Sequence, residues 1–400
     1  MLVRTTPERT SVDIELIRAH TPGTRHAVHL NAAGASLPPE PVLAAVVAHL
    51  TLESEIGGYE AADAVADKIA DSYAALAELV GADPGEIAFA ESATRAWDQA
   101  FYAIPFKPGD RILTTSSEYA SNALAYVQAA RRHGTVTEVI PDGPDGAIDL
   151  AALAAALARG GVRLVALNHM PTHDGLVNPA AEVGALARAH GALFLLDACQ
   201  SVGQLPIDVR ALGVDLLSAT GRKFLRGPRG TGFLYARAEV LPLLDPAVVD
   251  LAAADLTGPD EFTFRPDARR FESWERSVAG QLGLGTAARY ALDLGLDAIA
   301  ARVQGLAARL REALGDVPGV TVHDRGTHKS GIVTFGHATR TAAEIVTGLA
   351  GRGVVARVSE QTFRYDAGAR PPARVRASVH YYNTEDEIDT AVAALRALLG

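Results

Sequence analysis

The sequence predicts an α/β fold in which a mostly parallel sheet is covered by helices on both faces. Short apolar runs alternate with helical segments of about ten residues, an order typical of successive βαβ units. Two of these runs, VRLVALN at 162–168 and ALFLLD at 192–197, are almost wholly apolar, as strands buried on both faces usually are. A stretch near 251–270, in which charge, proline and glycine cluster, separates this pattern from a second and shorter series.

The individual elements follow from apolar spacing. Apolar residues three and four apart predict helix over 38–80, with an interruption near Gly57 and Gly58. We then predict strands at 86–90, 111–115, 136–140, 162–168, 192–197, 216–219 and 232–235, with helices at 93–101, 122–132 and 181–190 and an alanine-rich helix ending near 159. Further on, we predict a long helical stretch over 278–314, a helix at 342–351 and strands at 320–323, 331–335, 353–358 and 374–380.

These elements divide into two domains. A length of 400 residues suits one large domain and a smaller one. We place the large domain at 31–265 and a small C-terminal α+β domain at 266–400, and we expect segment 1–30 to pack with the small domain.

Composition narrows the class of protein. With 37 basic and 47 acidic residues, the net charge is −10, and no basic stripe indicates a nucleic-acid partner. The single cysteine, Cys199, excludes an internal disulfide framework and fits a reducing compartment. The first twenty residues lack the apolar core of a signal peptide, and no apolar run reaches membrane-spanning length. We therefore expect a soluble cytoplasmic protein with no membrane partner.

Three features predict a site for pyridoxal 5′-phosphate (PLP) where strands end, which is where ligands bind in such sheets. Lys223, one of four lysines in the chain, can condense with an aldehyde, and burial or the neighbouring Arg222 makes its amine nucleophilic. Asp197 ends a buried strand and can hold a pyridine nitrogen protonated, so that the ring accepts electrons. The helix start at 92–94 offers free N–H groups and hydroxyls to a phosphate.

The stretch LLDACQSVGQLPIDVRALGVDLLSATGRKFLRGPRGTGFLY at 195–235 resembles the class V aminotransferases, and the similarity runs from about residue 29 to the C-terminus. The resemblance implies fold type I, with a seven-stranded sheet sandwiched by helices. It implies that Asp197 pairs with the pyridinium, that Lys223 forms a Schiff base and that Gln200 contacts the ring oxygen. Thr220 and Arg222 would hold the phosphate together with Ser92, Ala93 and Thr94.

Other motifs extend the resemblance. SSEYASN at 116–122 implies that Tyr119 stacks on the cofactor, and NHMPTHDG at 168–175 implies that Thr172 touches the ring oxygen, with His173 towards the substrate. VRASVHYYNTEDEID at 375–389 implies that Arg376 clamps the substrate carboxylate, for which its fork of donors is suited. We also expect Asn31 and Arg357 on the substrate side. RRFESWE at 269–275 implies a homodimer with active sites near the subunit interface.

The reaction is predicted from one difference between this sequence and the cysteine desulfurases. Cysteine desulfurases need a mobile thiol before the last motif, but residues 357–375 contain no cysteine and have Thr362 near the expected place. Because persulfide chemistry needs an ionisable sulfur, we predict that the protein is not a desulfurase. SEIGGYEAAD at 54–63 resembles a stretch of the hercynylcysteine sulfoxide lyases and implies that Tyr59 lines the substrate pocket.

The predicted function is therefore a PLP-dependent carbon–sulfur lyase that eliminates from an S-substituted L-cysteine or its sulfoxide, in a sulfur-containing natural-product pathway. No metal is expected. The alternatives are an aminotransferase, an epimerase or a decarboxylating oxidative deaminase acting on an amino acid. A catalytically inactive binding subunit is a further alternative, although it predicts the loss of Lys223 or Asp197, and both are present.

Overall fold

The computed structural model describes residues 12–360 and 372–400. Its α-helices are α1 (Ile14–Ala19), α2 (Glu40–Ile56), α3 (Gly58–Ala64), α4 (Ala66–Val80), α5 (Ala93–Tyr102), α6 (Ala120–His133), α7 (Leu150–Ala158), α8 (Ala180–Ala189), α9 (Val278–Leu294), α10 (Leu296–Gly315), α11 (Ala342–Ala350) and α12 (Glu385–Leu399). Its strands are β1 (Val28–His29), β2 (Ile87–Ala90), β3 (Arg111–Thr115), β4 (Val136–Ile140), β5 (Val162–Asn168), β6 (Leu193–Asp197), β7 (Leu216–Thr220), β8 (Gly232–Ala236), β9 (Ala254–Gly258), β10 (Glu261–Phe264), β11 (Val320–Val322), β12 (Ile332–His337), β13 (Val354–Val355), β14 (Arg357–Ser359) and β15 (Arg374–Ser378).

The main sheet has seven strands in the order β2-β8-β7-β6-β5-β3-β4. Strand β8 runs antiparallel to both β2 and β7, and the remaining neighbours are parallel. The predicted mostly parallel, seven-stranded sheet is therefore confirmed.

Helices cover both faces of this sheet, as predicted. Along β6, Leu193 and Leu195 belong to one apolar core with helices α5 and α6. Phe194 and Leu196, which point to the opposite face, belong to a second core with α4, α7, α8 and α9. Since every residue of β6 is buried, the apolar run in the sequence reflects a strand covered on both sides.

A second sheet lies in the C-terminal part of the chain. It is antiparallel, with the order β11-β12-β15-β14, and α10, α11 and α12 pack against it or against one another. Near the N-terminus, β1 pairs in parallel with β13, and Arg18 forms an ion pair of 2.8 Å with Glu387 on α12. Segment 12–30 thus contacts the C-terminal part.

The long helical stretch over 278–314 is two helices. Gly295, with φ of +88°, ends α9 and precedes α10, a backbone conformation that glycine adopts without steric cost. Helix α9 packs against α2 and α4, where a Cβ on Gly285 would lie 2.3 Å from Ser72 Oγ. The first helix after the proposed domain boundary at 265 therefore packs on helices of the large domain.

Among the described helices and strands, those not predicted are α1, β1, the β9–β10 hairpin and α12. Helix α12 begins with a capping box, in which Thr384 accepts from the Glu387 N–H and Glu387 accepts from the Thr384 N–H. The letters TEDE at 384–387 are the usual sequence signature of such a start.

In residues 12–360 and 372–400, the structure contains no helix long and apolar enough to span a bilayer.

Candidate active site

A pocket opens at the carboxyl ends of β6 and β7, where the sequence predicts a ligand. All ten residues assigned to the cofactor line it: Ser92, Ala93, Thr94, Tyr119, Thr172, Asp197, Gln200, Thr220, Arg222 and Lys223. The other lining residues are Glu91, Asn168, Met170, Cys199, Gly230 and Thr231. The structure thus brings together segments that are far apart in the sequence.

Lys223 follows β7 by three residues and projects into this pocket. Burial lowers the pKa of its ammonium, and the positive charges of Arg222 and Arg376 lower it further, against the opposing effect of Asp197. A lowered pKa increases the fraction of neutral amine at neutral pH, which is the nucleophilic form. Lys223 therefore suits covalent attachment to an aldehyde.

Asp197 is held through both carboxylate oxygens. Oδ1 accepts a hydrogen bond of 3.0 Å from the Cys199 N–H, and Oδ2 accepts one of 3.1 Å from Asn122 Nδ2. The residue is buried at the last position of β6. A carboxylate fixed in this way can face a ring nitrogen without reorganising.

The opposite end of the pocket is suited to a phosphate. Ser92 caps α5 by accepting from the Arg95 N–H at 3.2 Å, so Ala93 and Thr94 are the first two residues of the helix. Backbone N–H groups at a helix start bind anions. Gly232 allows β8 to approach closely, because a Cβ there would lie 2.9 Å from the Ser92 carbonyl carbon.

The side of the pocket between these two ends is polar. Gln200 Nε2 donates to Thr172 Oγ1 at 3.1 Å and to the Ala33 carbonyl at 3.2 Å. Gln200 Oε1 is buried and has no hydrogen-bond partner among the described residues, a condition that costs about 1–3 kcal/mol unless a ligand or water satisfies it. An amine, a carboxylate and a helix start fit the aldehyde, ring nitrogen and phosphate of PLP.

The predicted substrate clamp reaches the pocket from the second sheet. Arg376 on β15 donates through Nη1 to Thr172 Oγ1 at 2.5 Å. Its Nε is buried without a hydrogen-bond partner among the described residues. Burial, then the charges of Arg222 and Arg357, lower its pKa to about 10, so the guanidinium stays charged at neutral pH. Within residues 12–360 and 372–400 it forms no ion pair with a carboxylate. A substrate carboxylate would supply an anionic partner.

Three further residues of the predicted substrate side lie near this arginine. Arg357 is directly opposite Arg376 in the β14–β15 ladder, and its side chain is exposed. His173 Nδ1 lies 3.0 Å from Ser359 Oγ, and burial followed by the charge of Arg376 lowers its pKa to about 4. The imidazole is therefore neutral at pH 7. Asn31 is buried and forms a β-bridge with Ser378.

The structure does not bring Tyr59 to this pocket. Gly57, with φ of +97°, ends α2 and lets α3 begin at once. Tyr59 then lies on the solvent side of α3 and is 76% exposed. The prediction that it lines the substrate pocket is not met within one chain, because the glycine pair acts as a helix junction.

Two buried residues next to the pocket form a hydrogen-bond chain to Asp197 and were not assigned a role from the sequence. Asn122 contacts Asp197, and Glu118 contacts Asn122 at 3.0 Å. Both belong to SSEYASN, the motif from which only Tyr119 was chosen. Glu118 lies just before the Tyr119 N-cap of α6 and Asn122 lies in its first turn, so the start of the helix brings the two side chains together.

Replacing Arg376 with alanine should weaken use of an α-amino acid substrate. Loss of a partly buried charge pair with the carboxylate costs about 2–4 kcal/mol, which corresponds to a fall of about 30- to 1,000-fold in kcat/KM. Steady-state kinetics measure this, with Arg352→Ala as the matched control, since Arg352 is exposed in the turn that follows α11. A variant with unchanged kcat/KM would remove Arg376 from the site.

Fold and site together define a PLP-dependent enzyme of fold type I. More narrowly, the chain belongs to the class V aminotransferase family, whose model matches residues 28–391. A probable cysteine desulfurase of Mycobacterium leprae is 31% identical, over 97% of this chain and 97% of that protein. The apo cysteine desulfurase of Thermococcus onnurineus superposes with a TM-score of 0.89 at 26% identity, covering 98% of this chain and 99% of that one.

The solved structures also include relatives with the cofactor. A lysine-to-alanine mutant of C-DES, with glycine covalently linked to PLP, superposes with a TM-score of 0.86 at 26% identity and covers 95% of this chain and 98% of that one. The same protein is described as a cystine C–S lyase in complex with its reaction product cysteine persulfide. PLP as the cofactor of the family is therefore established.

These relatives correct the predicted function. The prediction of a lyase for S-substituted cysteines that is not a desulfurase is contradicted, because the relatives from M. leprae and T. onnurineus are named cysteine desulfurases. They also give no support to the resemblance to the hercynylcysteine sulfoxide lyases. The exclusion rested on a missing thiol near Thr362, a position outside the described residues. The absence of one thiol bears on which group accepts the sulfur and not on membership of the family.

Proposed function

We propose that the protein is a PLP-dependent carbon–sulfur lyase of the cysteine desulfurase type, which removes sulfur from L-cysteine. The observation that carries this proposal is the position of Lys223 in one pocket with Asp197, next to Arg376. The names of the relatives support sulfur chemistry on cysteine.

The position of each residue in the site gives it a separate role in the reaction. PLP, when bound, supplies an electron sink for charge that develops at the substrate α-carbon. Arg376 orients the α-carboxylate, and the Nζ of Lys223 takes the α-proton and later returns a proton. Proton transfer by a positioned group of this kind contributes about 10²- to 10⁴-fold to a rate. His173, neutral and held by Ser359, lies on the substrate side for proton exchange with the sulfur.

The sulfur needs an acceptor. Burial, then the charge of Asp197, raises the pKa of the Cys199 thiol, so this only cysteine of the chain stays protonated and is a poor nucleophile. We therefore propose an external thiol as acceptor. L-Cysteine and RSH then give L-alanine and the persulfide RSSH: the C–S bond breaks, an S–S bond forms, and the Cβ of the substrate gains hydrogen.

Product analysis tests this proposal. The PLP-loaded protein, incubated with L-cysteine and dithiothreitol, should form L-alanine and sulfide in equal amounts, and Arg352→Ala should behave as wild type. The appearance of pyruvate and ammonia in place of alanine would show elimination instead. Transfer of the amino group to the cofactor, seen as a pyridoxamine product, would show an aminotransferase. Either result overturns the proposal.

We also propose a homodimer. Helix α2 exposes Leu43, Val47 and Leu50, each about half accessible, on one face at helical spacing. Trp274, within the segment that the family resemblance places near a partner, is 55% exposed. Apolar side chains in such number indicate a protein interface. Light scattering coupled to size exclusion should give twice the mass of one 41.8 kDa chain.

A further inference from the structure

Glu118 is a buried carboxylate next to the cofactor pocket, and the mechanism above does not use it. It is 2% exposed. Its Oε1 accepts from the Tyr119 N–H at 2.7 Å and from Asn122 Nδ2 at 3.0 Å. Its Oε2 accepts from the hydroxyls of Thr114 and Tyr126, both at 2.8 Å. All four neighbours donate and none carries charge, so the surroundings are built around two acceptor oxygens.

Asn122 connects this carboxylate to Asp197. The same Nδ2 donates to Glu118 Oε1 at 3.0 Å and to Asp197 Oδ2 at 3.1 Å. An amide nitrogen has two hydrogens, and here each one goes to a different carboxylate. The position of Asp197 Oδ2 therefore depends on an amide whose orientation Glu118 sets.

The two carboxylates also interact through charge. Burial, followed by the charge of Asp197, raises the pKa of Glu118 to about 7. Above pH 7, where Glu118 is mainly ionised, its negative charge stabilises a proton held in front of Asp197, because both carboxylates favour positive charge at the same place. Glu118 therefore acts on the electrostatics of Asp197 as well as on its position.

Other charged groups around the pair are already accounted for. Lys223 faces Asp197 from the pocket. Arg325 donates at 2.7 Å to the Oγ of Ser117, the residue before Glu118, but its charge is already compensated by ion pairs with Asp142 and Asp174. The backbone N–H of His169 donates to the Asp197 carbonyl. Burial lowers the pKa of the His169 imidazole to about 4, so the ring is neutral.

We propose that Glu118, acting through Asn122, is a positioning residue that fixes Asp197 and keeps the ring nitrogen of PLP protonated. Glu118 itself lines no part of the pocket. The proposal requires that PLP binds in this pocket with its ring nitrogen next to Asp197. It does not depend on which sulfur compound is the substrate.

The test uses PLP labelled with ¹⁵N in the ring, bound to the full-length protein without substrate. The ¹⁵N chemical shift reports directly whether the ring nitrogen carries a proton, and it is followed as a function of pH. In Glu118→Gln, which keeps the size but removes the charge, the midpoint for loss of the ring proton should move down by about one pH unit, a tenfold change in proton affinity. Glu118→Asp should restore most of the wild-type midpoint.

A further variant tests the Asn122 bridge separately. Asn122→Leu, similar in volume, breaks the bridge and leaves Glu118 in place, so its midpoint should fall as in Glu118→Gln even if the latter does not fold. An unchanged midpoint in either folded variant overturns the proposal. Equal shifts in Glu118→Gln and Glu118→Asp also overturn it, because they indicate packing rather than charge. The measurement contains no cysteine, so a wrong substrate assignment leaves its result intact.

Discussion

Replacing Lys223 with alanine should abolish covalent attachment of PLP and lower turnover of L-cysteine by at least about 10²- to 10⁴-fold, the contribution of one proton-transfer group. The amine has two roles, as the attachment point and as the base at the α-carbon. Its pKa is lowered mainly by burial, and the other three lysines of the chain line no part of this pocket. No other described lysine can replace it.

Borohydride reduction followed by peptide mass spectrometry measures the first role. The wild-type chain should carry the reduced cofactor on the peptide that contains Lys223, and Lys223→Ala should carry none. Lys107→Ala is the matched control, because Lys107 is exposed and lies after α5, away from the pocket. Label on another lysine, or a Lys223→Ala variant that keeps its activity, contradicts the assignment.

The sheet was predictable because its signal is local. Strand β6 is buried at every residue, and its sequence is apolar at nearly every position, so composition alone indicates a strand covered on both faces. The β9–β10 hairpin carries no such signal, since its residues are mostly exposed. Helix α12 did carry one, the capping box at Thr384 and Glu387, and it was overlooked because the motif around it was interpreted for function.

The cofactor residues were predictable for a related reason. Asp197, Gln200, Thr220 and Lys223 fall within one stretch of 27 residues, in which order and spacing distinguish a site from single polar residues. Arg376 contacts Thr172 over a separation of 204 residues, and only the family resemblance could place it. The Glu118–Asn122–Asp197 connection joins the β3–α6 loop, α6 and β6, so it follows from the fold and not from any one motif.

The wrong function prediction has a different origin. It treated the absence of a thiol near Thr362 as evidence about the reaction, although Lys223, Asp197 and Arg376 would serve any substrate that is an α-amino acid. Carbon–sulfur cleavage needs those three groups first and an acceptor second. The acceptor can come from solution, whereas the base, the carboxylate and the clamp cannot.

Asp197 should be the second residue whose loss removes most activity, but with a different signature from that of Lys223. In Asp197→Asn, PLP should remain covalently attached, because the amine at Lys223 is unchanged. The rate should fall by about 150- to 5,000-fold, since breaking a buried charge pair costs about 3–5 kcal/mol. A neutral amide cannot stabilise the proton on the ring nitrogen, so the ring becomes a weaker acceptor of electrons.

Retention and rate must therefore be measured on the same sample. Reduction with borohydride gives the bound fraction, and alanine formation gives the rate. Asp260→Asn, on an exposed turn between β9 and β10, is the matched control. If Asp197→Asn loses PLP and activity in parallel, the carboxylate anchors the cofactor and does not tune it. If the variant keeps both, Asp197 does not face the ring nitrogen, and the role proposed for Glu118 falls with it.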